Sequence, residues 1–102
     1  MTQVFANLLD NAAYSAGQGG WVEVRTGLEM ERVVVEFADS GPGVPVQLRE
    51  RIFEPFFTTK PAGEGTGLGL ATAREIVTRH GGTLDVRQAP SGAAIFRIEI
   101  PV

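Results

Sequence analysis

Three short stretches of this sequence hold residue types that could do chemistry. Asn7 and Asn11 stand four apart, which on a helix puts both amides on one face, one turn from each other. An amide carbonyl oxygen is a neutral, hard ligand. Mg²⁺ accepts such a ligand when it takes few protein groups and shares its other positions with water and phosphate. Asn has middling helix propensity, so two at this spacing inside a helix are a mild anomaly. Taken alone, the pair also reads as two polar positions on a wet face. The second stretch is Asp39-Ser40-Gly41-Pro42-Gly43. A carboxylate at a strand end can accept a hydrogen bond from an exocyclic amine, and flanking glycines let a planar ring approach the backbone. Alone, it is also an ordinary turn. The third is Gly63-Glu64-Gly65-Thr66-Gly67-Leu68-Gly69-Leu70, with glycines at two-residue steps running into a helix. Backbone N–H groups at a helix start, together with the helix dipole, favour phosphate. The stretch is no dinucleotide fingerprint, because loop rather than strand precedes it. Nor is it a Walker A loop, which would continue into Gly-Lys-Ser or Gly-Lys-Thr. Alone, it also reads as a flexible linker.

These residues need elements to hold them. Val4, Phe5, Leu8, Leu9, Ala12 and Ala16 recur at three- and four-residue steps and predict a helix over 3–16, stopped by Gly17-Gln18-Gly19-Gly20. The helix is already running near Met1, which leaves little room for a cap and suggests a truncated front. Alternation over 21–26 and a Val-rich run over 31–38 predict two strands, with Gly27-Leu28-Glu29-Met30 as the hairpin connection. Residues 39–45 are rich in turn formers and predict a loop. A short helix is expected over 47–53, then a long mobile loop over 55–66 that contains two prolines. A second helix is predicted over 67–80, closed by Gly81. Two more strands are predicted over 83–88 and 94–100, turning at Ala89-Pro90-Ser91-Gly92. No internal repeat or low-complexity tract appears.

The bulk properties narrow the class. A chain of 102 residues, 43% hydrophobic and 21% charged, is one ordinary globular domain. A net charge of −3 gives no reason to expect nucleic-acid or acidic-membrane binding. The absence of cysteine excludes a disulfide scaffold, a thiolate metal site and a Cys nucleophile. No stretch approaches the roughly 18 apolar residues of a membrane span, and the start lacks the pattern of a signal peptide.

Taken together, the stretches resemble the GHKL (Bergerat) ATP-binding fold, most closely the catalytic ATP-binding domain of sensor histidine kinases. Asn7-Leu8-Leu9-Asp10-Asn11-Ala12 resembles that family's asparagine motif, and Asp39-Ser40-Gly41-Pro42-Gly43 its first glycine motif. Ile52-Phe53-Glu54-Pro55-Phe56-Phe57-Thr58-Thr59-Lys60 is similar to its phenylalanine motif, and Gly65-Thr66-Gly67-Leu68-Gly69-Leu70-Ala71 to its second glycine motif. His80-Gly81-Gly82 and Phe96 to Pro101 also fit, so the resemblance spans essentially the whole chain. It implies an α/β two-layer sandwich: a mixed, mostly antiparallel four-stranded sheet with helices on one face. Residues 1–102 would be the C-terminal portion of the domain, without its front and without the dimerisation and phosphoacceptor domain.

The resemblance also implies roles. Asn7 and Asn11 are its catalytic positions. Asn11 would ligate Mg²⁺ bridging the ATP phosphates. Asn7 stands where gyrase-type and MutL-type ATPases carry a general-base glutamate, and an amide cannot take a proton from water. That favours transfer to another protein over hydrolysis. Asp39 would accept from the adenine amine, and Gly41 and Gly43 would shape its pocket. Phe56 and Phe57 would anchor the base of the lid or pack near the nucleotide. Lys60, the only lysine, could pair with a phosphate from the lid or be a solvated loop charge. Gly65, Gly67 and Gly69, with Thr66 and Leu68 between them, would present N–H groups to the phosphates.

Two positions depart from the pattern. Tyr14 stands where many members carry a basic residue, and Ala94 where a Thr or Ser hydroxyl often helps bind adenine through water. Both predict weaker nucleotide binding. His80, the only histidine, matches a helix-end position rather than a phosphoacceptor. The implied partners are the phosphoacceptor histidine domain of the same kinase and a downstream response regulator, with neither nucleic acid nor direct membrane contact. The implied location is the cytoplasm, in a parent protein that other segments can anchor to a membrane. Another GHKL protein, an anti-sigma serine kinase or an ATPase, and a nucleotide-sensing domain without catalysis are the alternative readings.

Overall fold

A computed structural model of the chain describes residues 1–58 and 68–102. Helix α1 (Thr2–Ala16) buries Val4, Leu8 and Ala12, one residue per turn on the side facing the sheet. Strands β1 (Val22–Glu29) and β2 (Arg32–Asp39) form a hairpin in unbroken register from Val22 opposite Asp39 to Glu29 opposite Arg32. The predicted connection over 27–30 is therefore displaced. Gly27, Leu28 and Glu29 belong to β1, and the loop is Met30-Glu31, both left-handed at φ 49° and 64°. A two-residue hairpin with both residues at positive φ matches the twist of the strands it joins. The usual Asn-Gly signal is missing here, which is why the sequence hid the turn.

The predicted helix over 47–53 resolves into two short 3-10 turns, Val46–Leu48 and Arg51–Phe53. Helix α2 (Gly69–Arg79) starts two residues later than expected and buries Ala73 and Val77. Strands β3 (Thr83–Gln88) and β4 (Ala94–Pro101) lie where predicted, with β4 one residue longer. The sheet order is β1-β2-β4-β3 and all three pairings are antiparallel, so the four described strands contain no parallel pair.

The two faces of the sheet differ. One carries Val35, Phe37, Leu84, Val86, Phe96 and Ile98, which close a core with Val4, Leu8, Ala73 and Val77 from the helices. Phe5 of α1 meets Phe37 edge-on, with ring centroids 5.4 Å apart. The other face is charged. Arg97, 11% exposed, donates to Glu36 at 2.8 Å, Glu29 at 3.0 Å and Glu99 at 3.1 Å. The hydrogen bonds it donates, that to Glu36 first, raise its pKa far above the already high arginine value, so the cation is permanent. Among the described residues no helix is long and apolar enough to cross a membrane.

Candidate functional site

Asp39 is the last residue of β2. Strand alternation puts it on the helix side with Phe37 and Val35, and it is fully buried, the one buried charged residue among those described. Its Oδ1 accepts from the Gly41 N–H at 2.7 Å, while its Oδ2 is buried with no hydrogen-bond partner. Roughly 90% or more of buried polar groups find a partner, so an orphaned carboxylate oxygen is an anomaly that a bound donor would explain. The loop beyond β2 lies close against its surroundings. A Cβ on Gly41 would strike the Ser15 hydroxyl, its carbonyl at 2.5 Å and Asp39 Oδ1 at 2.8 Å. Gly43, at φ 83°, packs so tightly that a Cβ would hit the Gly92 carbonyl of the β3–β4 turn. The loop is thus wedged between the end of α1 and the far turn of the sheet, and glycine is required at both positions.

Ala94 extends the β2–β4 register, in which Ala38 faces Ile95, to stand opposite Asp39. It is 1% exposed. The position where the resemblance expects a hydroxyl therefore adjoins the orphaned carboxylate and carries only a methyl group.

Asn7 and Asn11 are half-buried on α1, each one position before a buried residue, with Tyr14 exposed further along the same side. The Asn7 amide is engaged at both ends: its Nδ2 donates to the Gly69 carbonyl at 3.0 Å, and its Oδ1 accepts from Gln3 Nε2 at 2.9 Å. Asn7 therefore ties α1 to the first residue of α2. Sequence reasoning could not find this strut, because its partner lies 62 residues away. The Asn11 amide makes no hydrogen bond among the described residues. Leu68, at the start of α2, offers no capping side chain, and the first turn holds no acidic residue. The positive end of the helix dipole at such a start favours an anion.

The phenylalanine motif divides differently from expectation. The residue that anchors it is Phe53, buried and edge-on to Phe96 with centroids 6.3 Å apart. Arg74 of α2 lies 4.4 Å above the Phe53 ring and binds Glu50 at 3.1 Å, clamping this segment to the helix. Phe57 is half-buried beneath the Arg51 guanidinium, 4.8 Å away. Phe56 is 73% exposed at φ 69° and anchors nothing in the described fold. The turning chain at Pro55 leaves only one of the two adjacent rings able to face inward. Lys60, Gly65, Thr66 and Gly67 lie outside the described residues, as does most of the expected lid.

The residues fit a nucleotide and its cation in two respects. The orphaned Asp39 Oδ2 suits a neutral amine donor. Asn11, with no cluster of three acidic or histidine side chains among the described residues, suits a cation held mainly by phosphate and water. His80 closes α2 with its Nδ1 bonded to the Ile76 carbonyl at 2.8 Å.

Comparison with known proteins agrees. The family described as "Histidine kinase-, DNA gyrase B-, and HSP90-like ATPase" matches residues 1–102. The sensor histidine kinase ZraS of Salmonella typhimurium is 40% identical over 103 residues, covering all of this chain and 22% of that protein. The chain thus spans about a fifth of that relative's length. The nucleotide-free catalytic domain of the histidine kinase ThkA superposes with a TM-score of 0.86 at 39% identity, covering 97% of this chain and 64% of that one. Full-length ShkA, solved in complex with AMPPNP, gives 0.85 at 34% identity, covering 97% of this chain and 20% of that one. With the antiparallel sheet, the buried acceptor at the end of β2 and these matches in agreement, the chain belongs to the histidine kinase-, DNA gyrase B- and HSP90-like ATPase family, with the catalytic-domain fold of the histidine kinases.

Proposed function

We propose that this chain binds Mg-ATP and, within a longer sensor kinase, presents the γ-phosphoryl group to a histidine on another domain. The observation that carries the reading is the fully buried Asp39 with one oxygen bonded to the Gly41 N–H and the other unpaired. In this reading Oδ2 accepts from the exocyclic amine of adenine. Gly41 and Gly43 set the wall of the pocket, and Asn11 donates its carbonyl oxygen to Mg²⁺. The uncapped start of α2, with Leu68 and Gly69, meets the phosphates. Tyr14, Phe56, Phe57, Lys60, Gly65, Thr66 and Gly67 complete the proposed binding set. Mg²⁺, when bound, neutralises charge on the phosphates. The chain's own contribution is position, which is what phosphoryl transfer chiefly asks of a protein. Asn7 contributes by fixing the start of α2 through the Gly69 carbonyl.

The AMPPNP complex of ShkA and a complex of ThkA with the response regulator TrrA support the nucleotide and the downstream partner. A cytoplasmic location follows from that chemistry, since ATP and response regulators are met there. Titration of the chain with a fluorescent ATP analogue, with and without Mg²⁺, tests the reading. Saturable binding that ADP competes away and Mg²⁺ strengthens is expected. No binding at millimolar nucleotide would sink it.

A further inference from the structure

Gln88, Ala94 and Asp39 stand in one row across the sheet. Gln88 is paired with Ala94, and Ala94 extends the β2–β4 register to stand opposite Asp39. Alternation places Gln88 on the helix side, with the buried Val86 and Leu84 two and four residues before it. Two strand spacings separate Gln88 from Asp39, roughly 9–10 Å. The loop after β2 crosses this row. It starts at Asp39, where the Gly41 N–H donates to Oδ1 at 2.7 Å. By Gly43 it has reached the β3–β4 turn, where a Cβ would stand 2.4 Å from the Gly92 carbonyl.

Side chains hold the far end of that loop. Arg49 closes the first 3-10 turn and folds back over it. Its Nε donates to the Val44 carbonyl at 3.3 Å and its Nη2 to Gln88 Oε1 at 3.2 Å. Gln88 Nε2 in turn donates to the Gly92 carbonyl at 3.2 Å, the same carbonyl on which Gly43 rests. A guanidinium only donates and a carbonyl only accepts, so one orientation of the Gln88 amide serves both neighbours. The bonds run Val44, Arg49, Gln88, Gly92 and close a ring through Gly43. They pin the loop to the sheet on the side away from Asp39. Arg49 here meets a main-chain carbonyl and a neutral amide, a task that needs its planar fork more than its charge.

We propose that Arg49 and Gln88 are positioning residues for the nucleobase. Together they hold the Gly41-Pro42-Gly43 wall over the row of Asp39 and Ala94, so that a purine enters a slot already formed. The inference rests on the nucleotide-binding reading above, and neither side chain has to touch the ligand. A loose wall would have to be ordered when the ligand binds, and that cost is read as lost affinity. Slack at Gly43 also reaches Gly41, whose N–H orients the Asp39 carboxylate.

Calorimetric titration of the chain with ADP, alongside thermal melts without ligand, tests this. Arg49→Met and Gln88→Leu should each weaken ADP binding about two- to tenfold, the effect of one or two modest hydrogen bonds. The double variant R49M/Q88L should lose no more than the worse single one, because either change already breaks the ring. Arg49→Lys keeps the charge and loses the fork, so it should bind nearly as weakly as Arg49→Met. If Arg49 only attracted phosphate, lysine would restore binding. Melting temperatures should stay within about 3 °C of wild type, since both residues lie outside the buried core. Wild-type affinity in a single variant, full binding by R49K, additive losses in the double, or a lowered melting temperature with normal affinity would each overturn the proposal. Should R49M fail to fold, R49K and Q88L decide. Asp39→Asn in the same titration separates this inference from the reading beneath it. Binding lost there and intact in Arg49→Met overturns the inference alone, whereas a wild type that binds no ADP overturns both.

Discussion

Replacing Asp39 by asparagine separates the chemistry of this site from its architecture. The two side chains have the same shape. The asparagine Oδ1 can keep the bond from the Gly41 N–H, now 2.7 Å to the carboxylate. What changes is the other atom: an unpaired, buried acceptor becomes an NH₂ donor. Without nucleotide, the loss of an uncompensated buried charge should leave the melting temperature unchanged or raise it. With nucleotide, the amine of adenine meets a donor instead of an acceptor. Rotating the amide only moves the mismatch to Gly41, whose N–H would then face the NH₂. A hydrogen bond to a charged group contributes about 1.5–3 kcal/mol, and each 1.4 kcal/mol is about a factor of ten. Asp39→Asn should therefore weaken ATP and ADP binding about 10- to 150-fold, the donor–donor contact favouring the upper end. Calorimetric titration with ADP, paired with thermal melts of both proteins without ligand, reads the two effects separately. A folded variant that binds as tightly as wild type would refute the adenine assignment. A variant that melts far below wild type would show that Asp39 serves the fold rather than a ligand.

Four further outcomes follow from the same geometry. Ala94→Ser places a hydroxyl beside Asp39, and one net hydrogen bond of about 0.5–1.5 kcal/mol should tighten ADP binding several-fold in the same titration. Arg97→Ala strips the cation from Glu36 and Glu29, while Glu99 keeps Arg32 at 3.5 Å and Arg87 at 3.8 Å. Because these retain some water, the loss should be about 2–3 kcal/mol, below the range for a fully buried pair, and a denaturant melt measures it. Met30→Asn with Glu31→Gly replaces two residues held at positive φ by the types that such a turn favours, and should raise the melting temperature by several degrees. Incubated alone with radiolabelled ATP, the chain should neither label His80 nor release phosphate briskly. Acid-labile label on that residue would contradict the placement of the site at the other end of α2.

Much of the fold was legible because the elements obey simple periods. Val4, Leu8 and Ala12 mark α1, and alternation over β3 and β4 gave their limits within one residue. Where reading failed, the missing signal can be named. The hairpin turn at Met30-Glu31 carries neither Asn nor Gly, so its left-handed backbone is set by the register of eight paired residues on either side. The segment after Pro45 keeps helical composition but breaks into two 3-10 turns, one of which delivers Phe53 to Phe96. Composition could not say which of three nearby phenylalanines goes inward. At the site, Asp39 was visible as a carboxylate closing a Val-rich strand. Its missing second partner was not, because that depends on how the Gly41 loop seats against Ser15. Nor could spacing reveal that the Asn7 amide is spent on the Gly69 carbonyl.

That last contact bears on what the domain can do by itself. An Asn7 that only lined the site would be a silent replacement for a base. An Asn7 bonded at both ends is instead part of the frame, holding the uncapped end of α2 at a fixed place on α1. Neither it nor Asn11 can take a proton from water. His80 ends the same helix: from Gly69 it is eleven residues on, about 16 Å at 1.5 Å per residue, and its Nδ1 is held by the Ile76 carbonyl. In-line attack needs a nucleophile about 3–3.5 Å from the reacting atom, so no motion of that side chain brings it into range. Under the proposed function the rigid pieces serve one end: they would fix adenine at the end of β2 and phosphate at the start of α2. On this reading the nucleophile has to arrive from another domain, and the transfer rate is set by how often that histidine docks within reach of a phosphate the chain is already holding still.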